Sequence, residues 1–306
     1  MKGIFTNRSV FFQLGVLLIL LLFGYVIASI LAIPFMLLCG SAITSMMDLP
    51  ASILLVIQFI SATCIFLLPA IGTAWLCSEQ PSSFLQIKTP HIETRLLLLV
   101  AATMFLISPT ISLTAHFNAL LKLPEWMAPI EQWMISAEET TALLMDKLFS
   151  QKGILALSVN LIVIAIMAGV TEEFFFRGAL FSILRKAIHN HHVVIWVIAI
   201  IFSAIHFQFY GFIPRILLGA YLGYLLYWTK NIWVPVFAHF LNNAVAVIGM
   251  SNEELKDNAF FKEAVPSEDL GWFSIVAVVC FGLFVICAKA IQKMNGQESA
   301  SNQEES

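Results

Sequence analysis

The sequence predicts an all-α polytopic membrane protein with about eight transmembrane helices and both termini on the cytoplasmic side. Three observations predict it. Of 306 residues, 59% are hydrophobic and only 11% are charged, against about 25% charged in a soluble domain. Mean hydropathy is +0.89. The sixteen Lys and Arg and nineteen Asp and Glu, net charge −3, separate apolar runs that reach the length of a helical span, about 20 residues. This balance excludes a cytosolic enzyme, a disordered chain and a nucleic-acid binder with a basic face.

The elements follow in order from the charges. None lies between Arg8 and Asp48, which places a first helix over 10–38. That run is about twice the 7–15 residues of a signal-peptide core, so it reads as a retained span. Asp48 and Glu79 bound a second helix over 51–77, and Arg95 and Lys122 a third over 96–121. Segment 122–152, with Trp126, Trp133 and several Glu, is expected to hold an amphipathic helix on the outer membrane interface. The fourth span starts near Gly153 and runs through Glu172 and Glu173 toward Lys186. The fifth covers 193–213, the sixth 215–229, the seventh 232–250 and the eighth 270–288. Residues 296–306 are polar and of low complexity, and a disordered tail is expected there.

This divides the chain into four parts. Residues 1–150 hold the first three helices and the outer amphipathic segment. Residues 151–250 form a core that carries polar groups, 251–290 an outer acidic loop and the last helix, and 291–306 a polar cytoplasmic tail. With the N-terminus inside, the inner segments hold nine cations: Lys2, Arg8, Lys88, Arg95, Arg185, Lys186, Lys230, Lys289 and Lys293. The outer segments hold six: Lys122, Lys147, Lys152, Arg215, Lys256 and Lys262. The bias runs in the positive-inside direction.

Several features read as structural. The five cysteines lie in or beside apolar runs without a CxxC or a Cys/His spacing, so they read as small buried hydrophobes. The cluster His189, His191 and His192 reads as a solvated inner turn, and His91 and His116 show no local partners. Gly219 and Gly223 form a GxxxG that reads as packing within the chain.

Charges at bilayer depth are another matter. Each costs from about 2.5 kcal/mol upward, and a functional site is the default reading. The fourth helix reads Thr171-Glu172-Glu173-Phe174-Phe175-Phe176-Arg177-Gly178, the fifth Phe202-Ser203-Ala204-Ile205-His206, and the seventh His239-Phe240-Leu241-Asn242-Asn243. Counted at about 1.5 Å per residue from the inner helix ends, these groups reach similar depth. Glu173 and Arg177, four apart, are placed to form an ion pair along the helix. Glu172 points about 100° away and has no partner near it in sequence. His239 and Asn243 are also four apart and share a face. Each group has a plainer reading: a structural pair for Glu173 and Arg177, a helix–helix hydrogen bond for a lone His, packing beneath His206 for Phe202. The convergence of Glu172, His206, His239 and Asn243 from three helices favours chemistry.

These motifs, EExxxR, FxxxH and HxxxN in order on successive helices, resemble the CPBP family of intramembrane proteases, which includes CAAX prenyl proteases, bacteriocin-processing and ABI-like proteins. Here they are Glu172-Glu173-x-x-x-Arg177, Phe202-x-x-x-His206 and His239-x-x-x-Asn243, and the resemblance covers about residues 168–246. It implies an intramembrane endopeptidase acting on membrane-associated peptides or proteins, in a bacterial cytoplasmic (inner) membrane, with the site toward the cytoplasm. Carried over, Glu172 with His206 activates water, and His239 with Asn243 stabilises the oxyanion. Glu173, Arg177 and Phe202 are expected to support them. The chemistry is sound: a carboxylate in apolar surroundings becomes a better base near neutral pH, and donors aimed at an oxyanion act strongly where water is excluded.

Metal is open at this stage. Glu172, His206 and His239 form a plausible two-His, one-carboxylate zinc set, yet no HExxH is present, and a metal-free Glu/His mechanism also fits. Two non-proteolytic readings compete: an immunity or scaffold protein of the same fold, and a proton-coupled transporter. The four polar groups speak against the first, and the absence of an inverted repeat against the second. No nucleic-acid partner is expected from these residues, which leave prenyl recognition open.

Overall fold

A computed structural model of the chain describes residues 2–39, 46–87, 92–252, 255 and 269–304. Every regular element among them is helical. We number the principal helices α1 (Val10–Leu38), α2 (Ala51–Cys77), α3 (Thr94–Ala119), α4 (Ala128–Leu148), α5 (Ile154–Ala187), α6 (His191–Ala204), α7 (Phe212–Thr229), α8 (Trp233–Ser251) and α9 (Leu270–Glu304). Six of them, α1, α2, α3, α5, α8 and the Leu270–Met294 part of α9, are long and apolar enough to cross a membrane. With the shorter α6 and α7 they make up the eight helices expected from the sequence.

Most boundaries agree with the charge punctuation. α1 and α2 match 10–38 and 51–77, while α3 lies two residues earlier than expected. Local chemistry sets several ends. Ser9 caps α1 by accepting from the Phe12 amide, and Asn190 caps α6 by accepting from the His192 amide. Lys230 closes α7 in the left-handed region at φ 51°. The amphipathic α4 is where it was expected, with Trp126 and Trp133 exposed. All five cysteines are free. Lys88, His91, Lys256, Lys262 and most of the acidic loop after Asn252 lie outside the described residues.

Two expectations need correction. The fifth span does not run to 213. It stops at Ala204, so α6 has 14 residues and rises only about 21 Å, short of the roughly 30 Å hydrocarbon core. The cause is a partly exposed loop over 205–211 whose polar groups are satisfied from elsewhere. His206 Nδ1 takes the Phe202 carbonyl at 2.7 Å, and Phe207 turns left-handed at φ 52°. Asn118 of α3 donates to the Phe209 and Tyr210 carbonyls, both at 2.7 Å, and accepts from the Ile213 amide. Non-helical backbone at membrane depth is tolerated when protein partners satisfy it in this way. Trp133 of α4 packs on Phe207 and Phe209. The second correction is at the C-terminus, where α9 continues helically through 296–304. The stretch lacks proline, and its Ala, Gln and Glu suit a helix once a preceding span has nucleated it.

Close packing fixes how the helices meet. Phe174, Phe175 and Phe176 are all buried, joining α1, α2, α6 and α7 in one core rather than lining a cavity. A second core joins α3, α7, α8 and α9. Gly219 and Gly223 face α6, the first against Phe202 and Ala199 and the second against Ile195, so the GxxxG packs within the chain as expected. In α2 a π turn over Thr63–Leu67 bulges toward α1, where a Cβ on Gly24 would lie 1.9 Å from the Cys64 carbonyl oxygen. Gly24→Ala, worth about 1 kcal/mol in favour of an isolated helix, is here expected to destabilise by about 1–3 kcal/mol. Thermal unfolding of the purified variant checks this; an unchanged or raised midpoint contradicts the contact.

Candidate active site

The site is built on α5, α6 and α8. Gly169 lets α5 and α8 approach closely: a Cβ there would lie 3.2 Å from the Phe240 amide and 3.3 Å from the Val236 carbonyl. This places Glu172 and Glu173 beside His239. Immediately after Glu173 the helix widens into a π turn over Phe174–Leu180 that contains Arg177, a device common at functional sites.

Glu173 and Arg177 pair as the spacing predicts, Nη1 to Oε1 at 2.9 Å. Arg177 Nη2 also donates to the Gly219 carbonyl at 2.8 Å, tying α5 to α7, and its guanidinium lies 4.7 Å over the Phe202 ring. Glu173 does more than the sequence suggests. Its Oε1 also accepts from His239 Nδ1 at 2.8 Å. Nothing in the sequence signals this bond, which joins residues 66 positions apart.

The two histidines are oriented alike. His206 gives its Nδ1 hydrogen to the Phe202 carbonyl and His239 gives its own to Glu173, an assignment made from the hydrogen-bond partners. In the neutral rings this leaves both Nε2 atoms as lone-pair acceptors. Both face one atom: Glu172 Oε2 stands 3.9 Å from His206 Nε2 and 3.9 Å from His239 Nε2. That oxygen is buried and has no hydrogen-bond partner among the described residues. Phe202 packs edge-on against both rings, with centroids 4.9 and 5.8 Å away, so it forms the shared floor expected beneath His206. Exposure is graded. The side chains of His206 and Glu172 are 26% and 15% accessible, while those of His239 and Glu173 are 5% and 0%.

Asn243 lies one turn beyond His239. Its amide donates to the Ile164 carbonyl at 3.2 Å, and its oxygen accepts from Asn242. Ile164 belongs to a second π turn, Leu161–Met167, where widening frees carbonyls from their usual partners. Ser203, beside His206 in sequence, gives its hydroxyl to the Phe212 carbonyl at 2.7 Å and holds the loop.

For zinc, the donor chemistry is suitable: two neutral imidazoles whose Nδ1 atoms are each held by a second group, and one carboxylate. The spacing is not. Donors on a tetrahedral zinc stand about 3.4 Å apart, and Glu172 Oε2 is 3.9 Å from each Nε2. Among the described residues no three His, Cys, Asp or Glu side chains converge closely enough to hold an ion. The donor types thus match zinc while their spacing as placed is about 0.5 Å wide of it, and the reaction is derived from the chain's own groups.

A family profile described as type II CAAX prenyl endopeptidase, Rce1-like, matches residues 154–245, the stretch that carries all three motifs. This stretch is similar to that family's profile. The uncharacterized protein YpbD of Bacillus subtilis is 31% identical over 103 residues, 32% of this chain and 48% of YpbD. The membrane-embedded CAAX protease MroQ of Staphylococcus aureus is 33% identical over 91 residues, 28% of this chain and 36% of MroQ. The matched region thus spans less than half the length of either relative. No solved structure matches the chain.

Proposed function

We propose that the chain is an intramembrane endopeptidase that hydrolyses peptide bonds of membrane-associated substrates, with Glu172 as the general base. The observation that carries this reading is the pair of imidazole Nε2 atoms at 3.9 Å from the partnerless Glu172 Oε2. That distance is too long for a direct hydrogen bond, and it suits one water bonded to Glu172 and His206 at about 2.8 Å each. Glu172 takes a proton from the water while His206 Nε2 accepts from its other O–H. The water oxygen bonds to the scissile carbonyl carbon, and the carbonyl electrons move onto its oxygen. When the C–N bond breaks, the oxyanion re-forms the carbonyl and Glu172 returns the proton to the leaving nitrogen, giving an amine and a carboxylic acid that then loses its proton to solvent.

The rear half of the site prepares the oxyanion donor. A neutral His239 offers only a lone pair at Nε2. A protonated ring donates from Nε2, and Glu173, itself held by Arg177, stabilises that cation through Nδ1. The second amide hydrogen of Asn243 is assigned to the same oxyanion. The graded exposure supports this division, with the water-activating pair on the accessible side.

The test is cleavage of a panel of membrane-associated peptides by the purified protein in lipid, in water enriched in oxygen-18. Direct water attack puts the label into the new carboxyl group and leaves the protein unlabelled in a single turnover. Label in the Glu172 carboxylate, the mark of a covalent acyl intermediate, contradicts the general-base role.

A further inference from the structure

Glu172 and His239 sit inside helices, which fix the backbone beneath them. His206 does not. It follows the end of α6 at Ala204 and lies in the loop 205–211, beside Phe207 in its left-handed turn. Its side chain is 26% accessible, against 15% for Glu172 and 5% for His239. The 3.9 Å gap between His206 Nε2 and Glu172 Oε2 therefore depends on what holds this loop.

Asn118, in the last turn of α3, holds it. The residue is buried. Its Nδ2 donates to the Phe209 and Tyr210 carbonyls, each at 2.7 Å, and its Oδ1 accepts from the Ile213 amide at 3.2 Å. These partners also assign the amide, since two carbonyls require Nδ2 and an N–H requires Oδ1. A buried amide costs free energy unless it is bonded. Among the described residues, every bond of this side chain goes to one loop and the helical turn after it.

The clamp reaches His206 through a connected series of hydrogen bonds. The Phe209 carbonyl that takes Asn118 also accepts from the Phe212 amide at 3.3 Å. The Phe212 carbonyl accepts from the buried Ser203 hydroxyl at 2.7 Å. The Ser203 carbonyl accepts from the His206 amide at 3.3 Å, while the Phe202 carbonyl holds the ring at 2.7 Å. Asn118 thus anchors the far end of the loop, and Ser203 the end next to His206.

We propose that Asn118 is a positioning residue of this site, which through its bonds to Phe209, Tyr210 and Ile213 holds His206 Nε2 where one water bridges it to Glu172. The inference rests on the hydrolase reading of Glu172 and His206. It extends the site to α3, which lies outside the stretch 154–245 matched by the family profile and carries none of the three motifs. The effect is large enough to measure, because a displacement of about 1 Å at a reacting group can cost about 100-fold in rate.

The experiment compares wild type, Asn118→Leu, His206→Gln and the double variant in lipid, on one cleaved peptide. Asn118→Asp, which keeps the volume and the acceptor for the Ile213 amide, is the second variant should Asn118→Leu not fold. Loss of the clamp is expected to lower kcat about 10–100-fold. KM should stay within a factor of about three, because water orientation matters in the transition state and not in ground-state binding. In the His206→Gln background the same change should cost less than about threefold, since residues that act through one another are not additive. The two histidines supply a readout independent of cleavage. Diethyl pyrocarbonate, followed by peptide mass analysis, should modify His206 faster in the Asn118 variant and His239 at the wild-type rate. A purely structural role would lower the rate by the same factor in both backgrounds and expose both histidines together. Either of those results, a wild-type kcat in a folded Asn118 variant, or failure of both variants to fold overturns this inference and leaves the hydrolase reading standing. A folded wild type that cleaves no peptide overturns both.

Discussion

Glu172→Gln is expected to lower kcat about 10²–10⁴-fold, the range lost with a positioned general base, while the protein remains folded. Gln keeps the volume and the polarity of the side chain and removes only its basicity. The environment makes the effect selective. Glu172 Oε2 forms no hydrogen bond among the described residues, so the change breaks no structural bond at that atom. A carboxamide in that position also offers an N–H to the lone pairs of the His206 and His239 Nε2 atoms 3.9 Å away, which occupies the acceptors that orient water. The expected pattern is therefore a large fall in kcat, a small change in KM and an unfolding midpoint near that of wild type. Kinetics and thermal unfolding on one preparation read all three.

Arg177→Ala is expected to have the largest effect on stability, a loss of about 3–5 kcal/mol, because removing one partner of a buried ion pair leaves the other uncompensated. Arg177 is 1% exposed and Glu173 0%. The variant strands the Glu173 carboxylate with only His239 Nδ1 as a donor, and it removes the bond to the Gly219 carbonyl that joins α5 to α7. It also opens a void under Phe202. Arg177→Met combined with Glu173→Gln separates these effects. Apolar or neutral replacement of a whole buried pair is often close to neutral, so the double variant should unfold nearer to wild type than Arg177→Ala does, yet lose activity because His239 loses its carboxylate. If Arg177→Ala unfolds at the wild-type temperature, the pair is not the brace described.

How much of this was legible in the sequence depends on the range of the interactions involved. The spans were, because a charge in an apolar run marks a membrane boundary at low cost in ambiguity: α1 and α2 fall where Arg8, Asp48 and Glu79 place them. The Glu173–Arg177 pair was legible because the helix itself sets a spacing of four. The same rule failed at α6. The break after Ala204 is stabilised by Asn118, whose amide reaches across 91 residues to Phe209, and no local signal announces that bond. Arg215, read as the start of the helix over 215–229, falls in the first turn of α7, where Gln208 holds it. Of the site itself, the convergence of Glu172, His206 and His239 was visible as equal depth on three helices. The division of labour between Glu172 and Glu173 came only with the fold, since it turns on which carboxylate meets an Nδ1 and which faces the two Nε2 atoms.

The central proposal is that Glu172, working with His206 through a water held by the chain's own groups, makes this chain a peptidase. The most direct measurement is the cleavage rate of membrane-associated peptides by the full chain in lipid, taken for wild type, for Glu172→Gln, and for wild type stripped of metal with a chelator and checked by elemental analysis. The account predicts cleavage by wild type, the same rate after metal removal, and a rate at least about 100-fold lower for Glu172→Gln. Equal rates for wild type and Glu172→Gln, or activity that disappears with the metal and returns with added zinc, would contradict it.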